Sequence, residues 1–588
     1  MKKRSVAITA AVLTVGMIST SNGAFAADKP VYLELVSTAT AAATLTPIAT
    51  AGDVVGGKTI AGVPDGMGAY KNSDGTITLL SNHEMSVTNT SLTSDDFAVR
   101  TQRAFGGYGA YVSKFTLNAT GTKVLKVDEA IKKMNWYNYD LGKYGSAPVG
   151  PAGAVDTDAY SATNHSDIIN RLCSAYLAPA GALLGTKTTV NGKSVSKGWA
   201  GPLFFTGEEG SDESRMFVLD PKTSVAYQLP RIGLAAWENG VVASKTGDDT
   251  VVFSSEDGEY TTGTATVSPA TATAADLAKG SQLWLYRGTK TAAGSFADRA
   301  GLTNGYSSVM KIEGVLNETE FRTKYPTKGT KVTVTFPEVN WAADGLTQNI
   351  AARLAGTSLG ALEDIAINPV NKNELWFTTK SSGGAATAPS QIAAQTKDAA
   401  GNARDGGGVW KITFEDIAKP QLGAKIELVL DGSEAGLLNM PDNLDFDSTG
   451  RYLMIQEDPG KNAALTRLLA YDTTDKKIAV IAQFKKAYHS PTETATFLTL
   501  DEESSGIINV TSIFGGTGAT FFLNAQIHPL AGSPVINAEN AIAKETTKLR
   551  PDLTFADSDA EIAFKTKVIE GGQYYKLQIS DFTKLTWL

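Results

Sequence analysis

The chain has 588 residues, 61 acidic against 53 basic side chains, and a formal net charge of -8. That balance disfavours nucleic-acid binding, which rests on neutralising phosphates with Lys and Arg, and suits the capture of cations. A single cysteine, Cys173, excludes an internal disulfide, and with four histidines in all a His-rich zinc cluster is not expected.

The N-terminus reads Met-Lys-Lys-Arg, the apolar run "AITAAVLTVGMI", then small and polar residues up to Ala24-Phe25-Ala26. This is the order of a secretory signal peptide over residues 1–26, and it lacks a twin-arginine pair, so the general secretory route is expected. Loss of Lys2, Lys3 and Arg4 with the leader takes the net charge from -8 to -11. No other apolar run approaches the roughly 20 residues of a membrane span. The mature protein is therefore expected to be secreted or periplasmic, without a transmembrane segment.

Residues 27–588 read as one large all-β domain. Short Thr, Val and Ile runs alternate with frequent turn signals, while "ATATAADLAKG" and "PSQIAAQTKDAAGNA" read as helical turns or loops. The first clear unit is "PDGMGAYKNSDGTITLLSNHE" (64–84), a hairpin that opens on Asp65 and ends on His83 and Glu84. Insertions are expected near 140–200, around Cys173 in "NRLCSAYLAPAG", and near 385–405. "GPLFFTGEEG" places Glu208 and Glu209 at a strand end, "WENG" carries Glu238, and "TVVFSSEDGE" ends on Glu256 and Asp257. "LEDIAINPVNKNELWFTTK" (362–380) and "PDNLDFDSTGRYLMIQED" (441–458) repeat the plan of the first hairpin, with Glu363 and Asp442 in the place of Asp65.

An antiparallel strand pair brings the end of the second strand beside the start of the first. Asp65 is thus expected near Glu84, and Asp442 near Glu457 or Asp458. One acidic pair at a strand end is an ordinary solvated turn. Recurrence at matching ends, at spacings above 40 residues, points instead to a β-propeller whose blades ring a shared carboxylate pocket. Like charges so gathered need cations, and an oxygen-rich set suits calcium or magnesium, with calcium the more tolerant of loose geometry. Read alone, Cys173 is a small buried hydrophobe; as a thiolate it suits iron or zinc. "DEESSG" (501–506) and "NAQIHP" (524–529) read as structural edges. There is no G-x-S-x-G elbow and no Walker A loop, which argues against a serine nucleophile and nucleotide hydrolysis.

In their order, "PDGMGAY…LLSNHE", the cysteine, "GPLFFTGEE", "WENG", "VVFSSEDG…LWLY", "LEDIAINP" and "PDNLDFD" resemble the PhoX-type alkaline phosphatase family over about residues 60 to 530. The resemblance implies a six-bladed propeller holding iron (Fe3+) and calcium, and the hydrolysis of phosphate monoesters outside the cytoplasm. It implies Cys173 as the thiolate on iron, Glu238 as a second ligand, and Glu363 as the family's metal glutamate. Glu209, Asp257, Asp442 and Asn443 become calcium-site or supporting residues, and Glu84 joins them. Two positions depart from the family: Ala361 stands where it has an arginine, and Trp237 where it has a histidine. A second expectation is a phytase-like or phosphotriesterase-like calcium hydrolase without iron. A third is a non-catalytic calcium-stabilised binding propeller. A small phosphorylated substrate and a monomeric state are expected.

Overall fold

The structure is a computed structural model and describes residues 31–85, 102–154, 166–258, 280–380, 406–432, 434, 437–459, 464–528 and 571–588. The expected signal peptide and the expected insertion at 385–405 lie outside these residues.

Six sheets form the blades of a β-propeller. Their innermost strands are Pro64–Lys71, Leu172–Ala178, Trp237–Val242, Leu362–Ile367, Pro441–Phe446 and Glu502–Asn509. Each inner strand contacts the next, and the sixth returns to the first, so the ring is closed around an axis. The chain ends close it. Ala43–Thr50 pairs antiparallel with Gly571–Ile579 as the outermost strand of blade 6, and Leu33–Leu35 adds to the edge of blade 5 against Lys477–Phe484. Of the stretch 140–200 expected as an insertion, Leu172–Ala178 is instead the inner strand of blade 2. The hairpin of Leu184–Val190 and Lys193–Gly198 is what projects there.

The apolar clusters follow this architecture, one between each pair of neighbouring blades. Successive side chains of a strand point to opposite faces, and a propeller blade buries both. In Tyr452–Glu457, Leu453 and Ile455 pack toward blade 4 while Tyr452 and Met454 pack toward blade 6. This is why the central strands read as continuous apolar runs. At the axis the packing is backbone to backbone. A Cβ on Gly66 would lie 2.1 Å from the Ala175 nitrogen, so only glycine lets blades 1 and 2 meet there.

Candidate metal centre

The register of the two innermost strands is the same in all six blades at one end of the axis. The terminal pairs are Pro64 with His83, Leu172 with Glu208, Trp237 with Glu256, Leu362 with Thr379, Pro441 with Glu457, and Glu502 with Ile527. One residue further along each inner strand stand Asp65, Cys173, Glu238, Glu363, Asp442 and Glu503. In blades 1 to 5 this residue lies inside a bulge, which frees it from the flat alternation of the sheet; in blade 6 Glu503 pairs in register with Gln526 and the bulge follows between Ser505 and Ile508.

The second strands end on a matching residue, held by the same backbone bond in every blade. The N–H groups of Glu84, Glu209, Asp257, Lys380, Asp458 and His528 donate to the carbonyls of Val63, Arg171, Ala236, Ala361, Met440 and Asp501, at 2.8–3.0 Å. In three blades the carbonyl is aimed by a non-glycine residue in the left-handed region: Val63 (φ 42°), Arg171 (φ 39°) and Met440 (φ 55°). Such a conformation costs about 1–2 kcal/mol each and is held where the surrounding structure over-determines it.

The result is a chain of ligand-type groups around the axis. Asp65, Glu84 and Cys173 offer atoms within 4.8 Å of one another. So do Cys173, Glu209 and Glu238, then Glu238, Glu363 and Asp442, then Asp442, Asp458 and Glu503. The expected approach of Asp65 to Glu84 is present, and Asp442 meets Asp458, not Glu457. Asp257 stands outside these groups but close enough for its charge to act on Glu209, Glu238 and Glu363. Asn443, expected among the ligands, lies one layer below them. Its Nδ2 donates to Ser174 Oγ (2.5 Å) and its Oδ1 accepts from the Gly506 N–H (2.6 Å), so both ends of the amide are engaged between blades. Asn82 is a similar staple from blade 1, donating to the Cys173 carbonyl at 2.5 Å and to Thr206 Oγ1 at 2.9 Å.

Protein groups do not satisfy this ring. Glu238 is fully buried, yet among the described residues neither of its carboxylate oxygens accepts a hydrogen bond; Asp65 Oδ1, Glu209 Oε2, Asp257 Oδ1 and Glu363 Oε1 are likewise buried with no donor among those residues. Burial, then the charges of Asp442 and Asp65, push the Glu238 carboxyl well above the usual range, against relief from the neighbouring Cys173 thiol. Burial and neighbouring acids likewise raise Asp65, Glu363, Asp442 and Glu503, and raise Glu209 against Arg171. The Cys173 thiol donates to Asp65 Oδ2 at 3.1 Å and is itself pushed well up by burial and the surrounding carboxylates.

Adjacent acids on the same strands behave differently. Glu208 receives Arg215 through both oxygens (2.6 and 2.8 Å), and Glu457 receives Arg467 in the same way (2.6 and 2.9 Å). Glu256 takes Arg353 at 2.8 Å and the Trp284 indole N–H at 3.1 Å. Arg353 comes from the helix Gly345–Ala355, which is capped by Asp344. That engagement rules it out as a substitute for the missing arginine at 361. Trp237 fills space against Trp284 at 5.5 Å between ring centres, and does not enter the pocket as a ligand. His83 plays the same structural part in blade 1. Its nitrogens bond the Gly62 carbonyl (2.8 Å) and Ser113 Oγ (2.7 Å), it stacks on Tyr111, and burial lowers its pKa to about 4.

Among the described residues two cations face the ring, and the sequence alone does not single out either. Arg171, with a half-exposed side chain, pairs with Glu84 and, at 2.9 Å, with Glu209. Lys380 pairs with Asp458 and lies 3.8 Å from Glu363 and 3.9 Å from Asp442. Glu503 lies in "DEESSG", which by sequence reads as a structural edge; its place in the ring follows only from aligning that stretch with the inner strands of the other blades.

The family model of alkaline phosphatase PhoX matches residues 279–529. No curated relative matches the chain by sequence. Among solved structures, Pseudomonas fluorescens PhoX in complex with vanadate, a transition state analogue, is similar over 94% of this chain and 96% of its own, at 12% identity and a TM-score of 0.53. Chaetomium thermophilum Sqt1 bound to the N-terminus of the ribosomal protein L10 scores 0.30 at 10% identity, over 79% of this chain and 94% of that one. The NanB sialidase from Streptococcus pneumoniae scores 0.26 at 9%, over 90% and 69%. Residues 279–529 therefore match the family model of alkaline phosphatase PhoX, and the chain as a whole has the six-bladed β-propeller fold of the Pseudomonas fluorescens protein.

Proposed function

We infer that the protein is an exported alkaline phosphatase that hydrolyses phosphate monoesters at a cation cluster held by the axial ring. The observation that carries this reading is the buried Glu238 carboxylate, which has no hydrogen-bond donor among the described residues and is flanked by ligand groups on both sides. An anion so placed is stable only as a neutral acid or against a bound cation.

The donor set fits the ions that the family resemblance implies. Cys173, Glu209 and Glu238 combine one soft sulfur with carboxylates, which suits iron. The all-oxygen groups, Glu238–Glu363–Asp442 above all, suit calcium. Bound there, such ions supply Lewis acidity toward phosphoryl oxygens. The chain's own residues do the positioning. Bulges aim the inner-strand ligands at the axis, while the staples of Asn82 and Asn443 fix each blade against its neighbour beneath them. Arg171 presents a guanidinium at the half-open mouth, where planar donors fit a phosphate edge. It sits at the strand position that Ala361 occupies in blade 4, since both carbonyls make the same backbone bond. Vanadate in the similar PhoX is the mimic expected of such a pocket.

Hydrolysis of p-nitrophenyl phosphate by protein refolded or purified in chelator, then supplied with calcium with and without iron, tests this reading. Activity that depends on the added ions is expected. Absence of hydrolysis under every metal condition would leave the ring as a binding or stabilising device and overturn the reading.

A further inference from the structure

Five of the six second strands place an acid or a histidine at the ring position: Glu84, Glu209, Asp257, Asp458 and His528. Blade 4 places Lys380 there, with the same backbone bond to the start of its inner strand. Exchanging a carboxylate for an ammonium alters the local charge by as much as one divalent ion does. Lys380 is turned inward, its side chain 21% exposed, and its Nζ pairs with Asp458 while facing Glu363 and Asp442 at 3.8 and 3.9 Å. That places the ammonium at the junction of two potential ligand groups, Glu238–Glu363–Asp442 and Asp442–Asp458–Glu503. Beyond it, both Glu238 oxygens are buried and have no donor among the described residues; Glu363 Oε1, the oxygen that faces Lys380, lies beyond hydrogen-bond distance of it.

We propose that the Lys380 ammonium takes the place of a divalent ion at Asp442, Asp458 and Glu503, so that cations fill the ring from Asp65 round to Glu363 and the remaining arc carries its counter-charge within the chain. The physical basis is competition for the same carboxylate oxygens. An ammonium in contact with Asp458 and under 4 Å from Asp442 occupies the space and the negative potential that a calcium ion would need, and ions there would repel it. Lysine suits this role because its compact point charge on a flexible stem mimics an ion better than a planar guanidinium does. Metal content on this arc is thereby made independent of external calcium. The arc around Glu238 stays responsive to it.

This inference rests on the cation-filled ring, and one experiment separates the two. Bound calcium per chain is counted by elemental analysis in wild type, Lys380→Met and Lys380→Arg, with folding checked by circular dichroism. Lys380→Met is expected to bind one more ion per chain than wild type, and Lys380→Arg the wild-type number. Calcium bound equally by wild type and folded Lys380→Met overturns the role of Lys380 and leaves the ring intact. No calcium on any of the three overturns the ring itself. Should Lys380→Met fail to fold, anomalous scattering from manganese-soaked wild-type crystals decides. Peaks confined to the Asp65–Glu363 arc are expected, and a peak bridging Asp442 and Asp458 would refute the proposal.

Discussion

Two sets of buried acids lie side by side on the same strands and are treated in opposite ways. Glu208, Glu256 and Glu457 each have an arginine from their own chain, and their oxygens are filled by side-chain and backbone donors. Of the next residues along, Glu209 and Asp458 join Asp65, Glu238, Glu363, Asp442 and Glu503, and Asp257 stands beside them, with Arg171 and Lys380 as the cations of the described residues that face the ring. Since a buried charge must be compensated, the difference teaches where compensation is internal and where it is left to ions from outside. The first layer is architecture; the second is a site.

Removing one partner from the internally compensated layer has the largest expected effect on stability. Arg215→Ala strands the Glu208 carboxylate and should lower unfolding free energy by about 3–5 kcal/mol, to the same extent in calcium and in chelator; denaturant unfolding in both conditions checks it. In the ring the pattern reverses. Glu238→Gln should lower kcat for p-nitrophenyl phosphate about a hundredfold or more, as loss of a Lewis-acid ligand worth several kcal/mol implies, while leaving stability in chelator equal to wild type or higher.

A smaller effect follows from pH. In chelator the ring carboxyls have native pKa values raised above those of the unfolded chain, so the native state holds more protons. Stability is then full below about pH 4 and falls as pH rises, by at most about 1.4 kcal/mol per pH unit for each group. Melting in chelator from pH 5 to 8 should show this decline, and calcium should flatten it. If chelated protein instead gains stability over that range, the ring is not proton-compensated. The smallest expected change is at the mouth: Arg171→Ala should raise KM for p-nitrophenyl phosphate about tenfold, the worth of one charge-assisted hydrogen bond, with kcat less affected.

How much of this could be read from the sequence depends on whether a residue announces its partner. The repeat of an acid, a strand, a turn and a returning strand makes the propeller and the pair Asp65–Glu84 legible, and narrows the partner of Asp442 to Glu457 or Asp458, because antiparallel register is local. Cys173 resists placement in a repeat, since the acid that opens the other blades is replaced by the cysteine of "RLCS" and the stretch reads as an insertion. Lys380 and Arg171 carried no signal at all. A lysine or arginine at a strand end is ordinary until the ring closes and places it among carboxylates from blades distant in sequence. Asn443 looked like a ligand because it follows Asp442; the bulge rotates it one layer down, where amide staples between blades replace metal binding.

The most direct measurement is thermal unfolding of the metal-stripped protein at pH 8 as calcium is added back. Calcium at about a hundred times its Kd should stabilise the native state by about 2.7 kcal/mol for each site filled, raising the unfolding midpoint of wild type and raising that of Glu238→Gln less. The same midpoint with calcium and with chelator would contradict an ion-filled ring.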